Sequence, residues 1–322
     1  MTAKEERILA AIAFIMVSLC IGIVIWKYRW SDGSTPVSSA EAVSENMIWE
    51  PYFEPAYGTK ADIVIPLPTD LNGEFYIEET LSKKEIRIVF ENVEEAFFYQ
   101  NKIQGNQEKI DRIYFVKEAD RTSLVFLLKH IYEGKTVHKE QEISFELQSP
   151  AELYERIFVF DGIWEKNREQ LSEMLAPEMT GIFGGGIQTA NELRADCFVS
   201  LIKEEVTLKK SGALPADKGQ DGSAEAIIYY NDAYYIPQFG SKELAYMLRD
   251  AYERAQPEWK VTVMACEDKG LKAARVPAVK IVYQAYQSAD ALEAGDTGML
   301  DQEVQSLFTE ALAEHFGKLE KE

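Results

Sequence analysis

Histidine and cysteine are the scarcest chemically useful residues in this 322-residue chain, with three copies each; the histidines are His130, His138 and His315. Metal-assisted hydrolysis needs three neutral or anionic ligands, an open fourth position, and a general base or acid beside the bound water. The three histidines are scattered along the sequence and read as surface or edge side chains rather than a ligand set. Cys20 lies in an apolar run, while Cys197 and Cys266 sit in the strand-like words DCFVSL and VTVMAC, where free cysteine is usually a small buried hydrophobe. A disulfide between these two stays open at this point. Ser200 falls inside a strand pattern and lacks a G-x-S-x-G elbow. Phe183-Gly184-Gly185-Gly186 has neither a following Lys-Ser/Thr nor the G-x-G-x-x-G spacing, so it reads as a tight turn rather than a phosphate cradle. The acidic run Glu91–Glu95 reads as a solvated face rather than a calcium site. Tyr229, Tyr230, Tyr234 and Tyr235 are a candidate glycan contact, because tyrosine rings stack on sugar faces and still hydrogen-bond. The plainer reading of the four is a buried strand followed by a hairpin.

Composition narrows the partners. A net charge of −20 disfavours nucleic acid and anionic lipid headgroups, both of which need clustered Lys and Arg. With 46% hydrophobic and 11% aromatic residues, the chain has material for folded domains with cores of their own. Ile8–Trp26 is uncharged throughout. As a helix it spans roughly 28 Å, one hydrocarbon thickness. Lys4 and Arg7 precede it, and Lys27, Tyr28, Arg29 and Trp30 follow. The run exceeds a usual signal-peptide core and no A-x-A-like site closes it, so an uncleaved anchor is the expectation and a cleaved signal the alternative.

Ser31–Glu45 is polar, rich in small residues and aperiodic, as a tether would be. Trp49, Tyr52, Phe53 and Tyr57 read as a chain start pinned onto the first domain. Between residues 60 and 150, short β-branched or aromatic runs alternate with polar turns: Ile63–Leu67, Phe75–Glu79, Ile86–Phe90, Ile113–Val116, Leu124–Leu128 and Ile143–Leu147. That spacing predicts a β-sandwich. From Arg156 the pattern becomes α/β: strands at Arg156–Phe160, Met179–Phe183, Asp196–Leu201, Ala224–Tyr230, Lys260–Ala265 and Ala278–Tyr283. Helices are predicted at Trp164–Leu175, Gln188–Arg194 and Ser241–Arg254, with a closing helix bearing Val304, Leu307, Phe308, Ala311 and Leu312 on its inner stripe. The alternation predicts a central sheet with helices on both faces.

The word IQTANELRADCFVSLI, Ile187–Ile202, resembles the helix–strand segment of zinc-dependent N-acetylmuramoyl-L-alanine amidases, which cut stem peptides from peptidoglycan. Asn191, Ala195–Asp196 and Phe198–Ser200 match that family's AN…AD-x-FVS pattern. SKELAYMLRDAYERA and VPAVKIVYQAYQSADALE are similar to later family segments, in the family's order. The strand-rich stretch resembles the AMIN module found ahead of such amidases. The resemblance implies a metal site at three strand ends, and there the sequence departs from it. The first strand closes Asp161-Gly162-Ile163-Trp164 with no histidine. Glu165 takes the glutamate ligand's place only if the glycine-rich loop has been deleted; otherwise it is an ordinary acidic residue in a helix's first turn. Ile202 stands where the second histidine belongs, and Val282 where the catalytic glutamate belongs.

These observations define four regions: an anchor over 1–30, a linker over 31–59, an AMIN-like sandwich over 60–150 and a degenerate amidase-like α/β domain over 151–322. The expected function is that of a single-pass membrane protein with extracytoplasmic C-terminal domains. It binds peptidoglycan or a cell-wall, division or sporulation protein without hydrolysis and without a metal or other cofactor. Asp161, Glu165, Ile202 and Val282 mark the vestigial site. The alternative is an active amidase whose metal site is rearranged around Glu165, Asp161 and His315, or completed by a partner.

Overall fold

The computed structural model describes residues 53–55, 60–69, 75–91, 93–118, 121–205, 224–234, 236–257, 260–285 and 297–318. The expected anchor Ile8–Trp26, the tether, Trp49, Tyr52 and Tyr57 lie outside these residues. Among the described residues no helix is long and apolar enough to cross a membrane.

Nine strands build the first layer pair: β1 (Glu54–Pro55), β2 (Ile63–Pro66), β3 (Phe75–Thr80), β4 (Glu85–Glu91), β5 (Gln104–Gly105), β6 (Ile110–Glu118), β7 (Arg121–Leu128), β8 (Glu133–Lys139) and β9 (Glu142–Gln148). They form a sheet ordered β1-β5-β2-β9-β8 and another ordered β3-β4-β7-β6. Alternation explains the arrangement. Ile143, Phe145 and Leu147 of β9 face inward and meet Ile86, Ile88 and Phe90 of β4 in one apolar core. Phe53 packs on that core, as a pinned chain start should. The sequence pattern missed β8, whose EGKTVHK has almost no apolar alternation. It pairs with β9 along its whole length but is exposed over most of it, as edge strands often are. A short helix, α1 (Glu95–Gln100), begins where the acidic run was expected to be only a solvated face, and it buries Phe98.

After α2 (Pro150–Leu153), capped by Ser149 and Glu152, the chain enters β10 (Arg156–Gly162). There follow a 3-10 turn (Ile163–Asn167), α3 (Arg168–Glu173), β11 (Met179–Phe183), α4 (Ile187–Leu193) and β12 (Cys197–Glu205). Then come β13 (Ala224–Tyr230), α5 (Ser241–Ala255), β14 (Lys260–Ala265), α6 (Lys269–Lys272), β15 (Ala278–Ala285) and α7 (Thr297–Lys318). The helix expected over Trp164–Leu175 is thus a 3-10 turn followed by six α-helical residues. The sheet order is β11-β10-β12-β15-β13-β14. β11, β10, β12 and β15 are mutually parallel, while β13 runs antiparallel to β15 and parallel to β14.

Period-two alternation sends the two side-chain sets of these strands into different layers. Phe158, Phe160, Cys197, Val199, Leu201, Ala226, Ile228, Val279, Ile281 and Tyr283 meet Leu244, Leu248 and Tyr252 of α5 and Val304, Phe308 and Leu312 of α7. Tyr252 stacks on Phe308 at 5.4 Å, and Phe160 contacts Trp164 at 4.8 Å. Ile157, Val159, Ile182, Phe198 and Ala278 point the other way, under Ala190 of α4, Leu271 of α6 and Ala274. Helices therefore cover both faces, as the alternation predicted. Cys197 and Cys266 are free thiols buried in opposite layers, which closes the disulfide question in favour of two small hydrophobes.

Candidate functional site

Strand register fixes where the expected site residues fall. Asp161 pairs with Ser200, Ser200 with Lys280, Lys280 with Tyr229, and Tyr229 with Met264. Two residues further along, Ile202 pairs with Val282, Val282 with Ile227, and Ile227 with Thr262. Because Phe158, Phe160, Val199, Leu201, Ile281 and Ile228 all belong to the layer under α5 and α7, both rows project from the α4 and α6 face. Ile202 and Val282 are thus next neighbours, one strand spacing of about 4.8 Å apart. Asp161 lies on the same face, one strand over and two residues back, so roughly 8 Å from Ile202 and 12 Å from Val282 by strand geometry.

The backbone leaves that face after Asp161. Gly162 has a positive φ of 88°, which turns the chain abruptly. A Cβ at this glycine would collide with the carbonyl oxygen of Leu201. Two residues on, Trp164 is fully buried in the opposite layer against Phe160 and Phe308. Glu165 lies in the 3-10 turn that carries Trp164 inward, and its side chain lies outside the described residues. His315 is in the layer of α7 as well, stacked on Phe239 at 4.6 Å and edge-on to Phe316. Asp161 and His315 therefore stand on opposite sides of the sheet, and the rearranged ligand set does not assemble. Ile202 and Val282 offer no lone pair to a metal, and among the described residues no three His, Cys, Asp or Glu side chains are close enough to hold one.

The matched letters of the amidase-like word have structural work instead. Asp196 accepts from the Ile157 backbone N–H at 2.8 Å and from Arg156 at 3.0 Å, tying the start of β12 to β10. Asn191 donates to Ala273 O at 3.0 Å and accepts from Arg275 N at 2.6 Å, fastening α4 to the loop that enters β15. Ala195, Phe198, Val199 and Ser200 are all buried.

The helices cover this face only partly. The rows through Phe198 and Ala278 lie under α4 and α6, and Lys280 reaches Asp268 at 3.7 Å. Beyond it the row Ile202, Val282, Ile227 and Thr262 is 36% exposed at Ile202, half-buried at Val282 and Ile227, and exposed again at Thr262. An apolar strip therefore opens to solvent where the strands β12 and β15 end. The sequence did not single out Ile227; the two-residue alternation of β13 held the signal, had the sheet order been known.

The four tyrosines do not form one patch. Tyr229 faces the α4 and α6 layer and Tyr230 the α5 layer. Tyr234 is exposed, and Tyr235 lies outside the described residues. Tyr230 and Tyr234 do share a cavity of about 390 Å³ with the loop that enters α5.

A cluster of perturbed titratable groups lies elsewhere, at the seam between sandwich and α/β layers. Burial raises the Glu79 carboxyl against the lowering effect of the Gly134 N–H, and Glu133 raises it further. Burial also raises Glu133, although Tyr154 donates to it at 2.8 Å. Tyr154 is itself pushed up to about 12 by burial and by Glu133. Glu192 of α4 is buried in the upward sense, but Lys84 at 2.7 Å and His130 at 3.2 Å outweigh that and lower it.

No family model and no curated protein sequence matches the chain. Among solved structures, the catalytic domain of the amidase CwlV from Bacillus (Paenibacillus) polymyxa var. colistinus aligns at 14% identity, covering 52% of this chain and 98% of that one, with a TM-score of 0.34. The Nostoc punctiforme amidase AmiC2 aligns at 14% identity over 52% of this chain and 98% of its own, TM-score 0.33. The Clostridioides difficile amidase CwlD, solved in complex with the GerS lipoprotein, gives 14%, 51%, 97% and 0.33. A purine nucleoside phosphorylase from Toxoplasma gondii scores 0.32 at 11% identity. Several of the similar structures are thus N-acetylmuramoyl-L-alanine amidases, but likenesses this slight assign neither a fold nor an activity.

Proposed function

We propose that this chain is a pseudo-amidase tethered to the cell membrane through Ile8–Trp26, which binds a cell-envelope protein or peptidoglycan outside the cytoplasm without hydrolysing it. The observation that carries the reading is the register pair Ile202–Val282, two aliphatic side chains at the strand ends where the amidase-like word calls for chemistry. Replacing polar site residues with aliphatic ones removes the cost of leaving buried polar groups unsatisfied. It also converts a reaction site into an apolar strip that Ile227 continues. Such a strip suits a protein surface better than a polyol, and marks an interaction site when it is continuous and exposed.

The test uses the full chain purified in detergent. It is incubated with cell envelopes and crosslinked, and separately with isolated sacculi, with bound zinc measured by mass spectrometry. Capture of an envelope protein or of sacculi, lost on Ile202→Glu and accompanied by no release of stem peptides, is the expected result. Stoichiometric zinc with stem-peptide release would overturn the reading, as would capture unaffected by Ile202→Glu.

A further inference from the structure

The reversal of β13 sends its last residues to the opposite rim of the sheet from Ile202 and Val282. Tyr230 pairs with Val279, near the start of β15, whereas Ile227 pairs with Val282. Beyond Tyr230 the chain makes a loop into α5, and there lies the cavity of about 390 Å³. This falls within the roughly 300–1,000 Å³ usual for small-ligand sites.

The wall of this cavity is fixed from behind. Asn231 is 2% exposed and donates to Ala274 O at 2.9 Å, while its Oδ1 accepts from Ala233 N at 2.9 Å. Asp232 is held by Lys272 at 3.3 Å. Gly240 keeps its N–H on the Glu243 carboxylate at 3.1 Å. Tyr230 forms a half-buried wall, and Tyr234 stands at the mouth, 47% exposed. Gln238 and Lys242 supply donors, and Glu243 an acceptor.

The lining selects among ligand classes. Two carboxylates, Asp232 and Glu243, against one lining ammonium, Lys242, disfavour phosphates and other anions. The Asp232 charge is already matched by Lys272, so the cavity does not call for a strong cation either. What remains is a neutral ligand with a flat apolar face for a tyrosine ring and many hydroxyl or amide groups for short polar side chains. That is a sugar. We infer that the Tyr230–Tyr234 cavity binds a neutral oligosaccharide of N-acetylhexosamine type. The choice of that sugar rests on the reading above that the protein lies in the cell envelope. The Tyr234 ring stacks on one pyranose while Gln238, Lys242 and Glu243 bond its hydroxyl and acetamido groups. The site is separate from the apolar strip and occupies the other rim.

The experiment is calorimetric titration of chitotetraose into the full chain in detergent. Saturable binding with Kd on the order of 0.1–1 mM is expected. Tyr234→Ala should weaken it at least tenfold, and Tyr234→Phe, which keeps the ring, should retain most of it. Tyr246→Ala, an exposed tyrosine on α5 that lies outside the cavity lining, should bind as the unaltered chain does. Thermal melts confirm that each variant is folded. No saturable binding up to about 10 mM, or equal binding by folded Tyr234→Ala, would overturn the inference. Ile202→Glu separates the two sites. Chitotetraose binding that survives Ile202→Glu supports a distinct sugar site, and binding lost with it overturns one. Failure of chitotetraose with Ile202-dependent partner capture intact removes this inference and leaves the function proposed above standing.

Discussion

The two faces of the six-stranded sheet are built from the same strands yet are finished differently. The face under α5 and α7 is closed along its length by Tyr252, Phe308, Leu312 and Phe316, with aromatic rings meeting at 5.1–5.4 Å for Phe158–Phe316 and Tyr252–Phe308. The face under α4 and α6 is closed only as far as the row of Asp161 and Ser200, and in the next row Ile202 meets solvent. Alternation along a strand assigns a residue to a face; only the helices decide whether that face is core or surface. An aliphatic side chain near a strand end is therefore a stability determinant on one side of this sheet and an interaction determinant on the other.

The sharpest test of the comparison is Phe308→Ala, which empties the closed face. It should cost about 3–5 kcal/mol and move the denaturant midpoint accordingly. A change near zero would mean that α7 contributes little to the closed face. Next in size is Gly162→Ala, because an alanine must adopt a positive φ there and displace the Leu201 carbonyl. A loss of about 2 kcal/mol or more in chemical denaturation is expected. Loss of the same size is not expected at Gly186, where a Cβ meets nothing within 4 Å.

The seam gives a smaller, pH-dependent effect. A carboxyl whose folded pKa is raised penalises folding once it ionises, so the penalty of Glu79 is absent below its unfolded pKa near 4.5 and fully present above its raised folded value. Glu79→Gln, which keeps an acceptor for Gly134 N–H, should stabilise the protein at pH 7 and make no difference at pH 4. Partial solvent screening holds the gain below about 1 kcal/mol. Thermal melts at the two pH values check it, and equal effects at both would contradict the assignment. Smallest of all is Ile202→Ser on the open strip, within about 0.5 kcal/mol of the unaltered chain in the same melts. A cost near that of Phe308→Ala would show that something covers the strip after all.

Sequence made the α/β architecture legible because β-branched runs such as RIFVF and AVKIVY sit between helical patterns with clear apolar stripes. It also made Ile202 and Val282 stand out, through letters that surround them in the amidase-like words. Their adjacency was not legible, since it depends on β15 inserting beside β12 in parallel register. Nor was the abrupt turn after Asp161, which a positive φ at Gly162 makes. β8 escaped notice because an edge strand can be held by backbone pairing alone, with EGKTVHK giving no apolar period. The tyrosines misled in a different way: neighbours in sequence, Tyr229 and Tyr230 are on opposite faces, and Tyr230 finds its partner, Tyr234, in a loop.

The position of β15 also governs how the molecule must be made. It is the last strand among the described residues and lies between β12 and β13, pairing Phe198 with Ala278 across 80 residues. Until the ribosome has released residue 285, β12 and β13 are both open edges carrying unpaired backbone groups, a state prone to mispairing. Closing so distant a contact makes folding of this half slow and late compared with the hairpins of the sandwich. A nascent chain stalled before Ala278 should therefore hold a finished sandwich followed by an unfinished, aggregation-prone sheet.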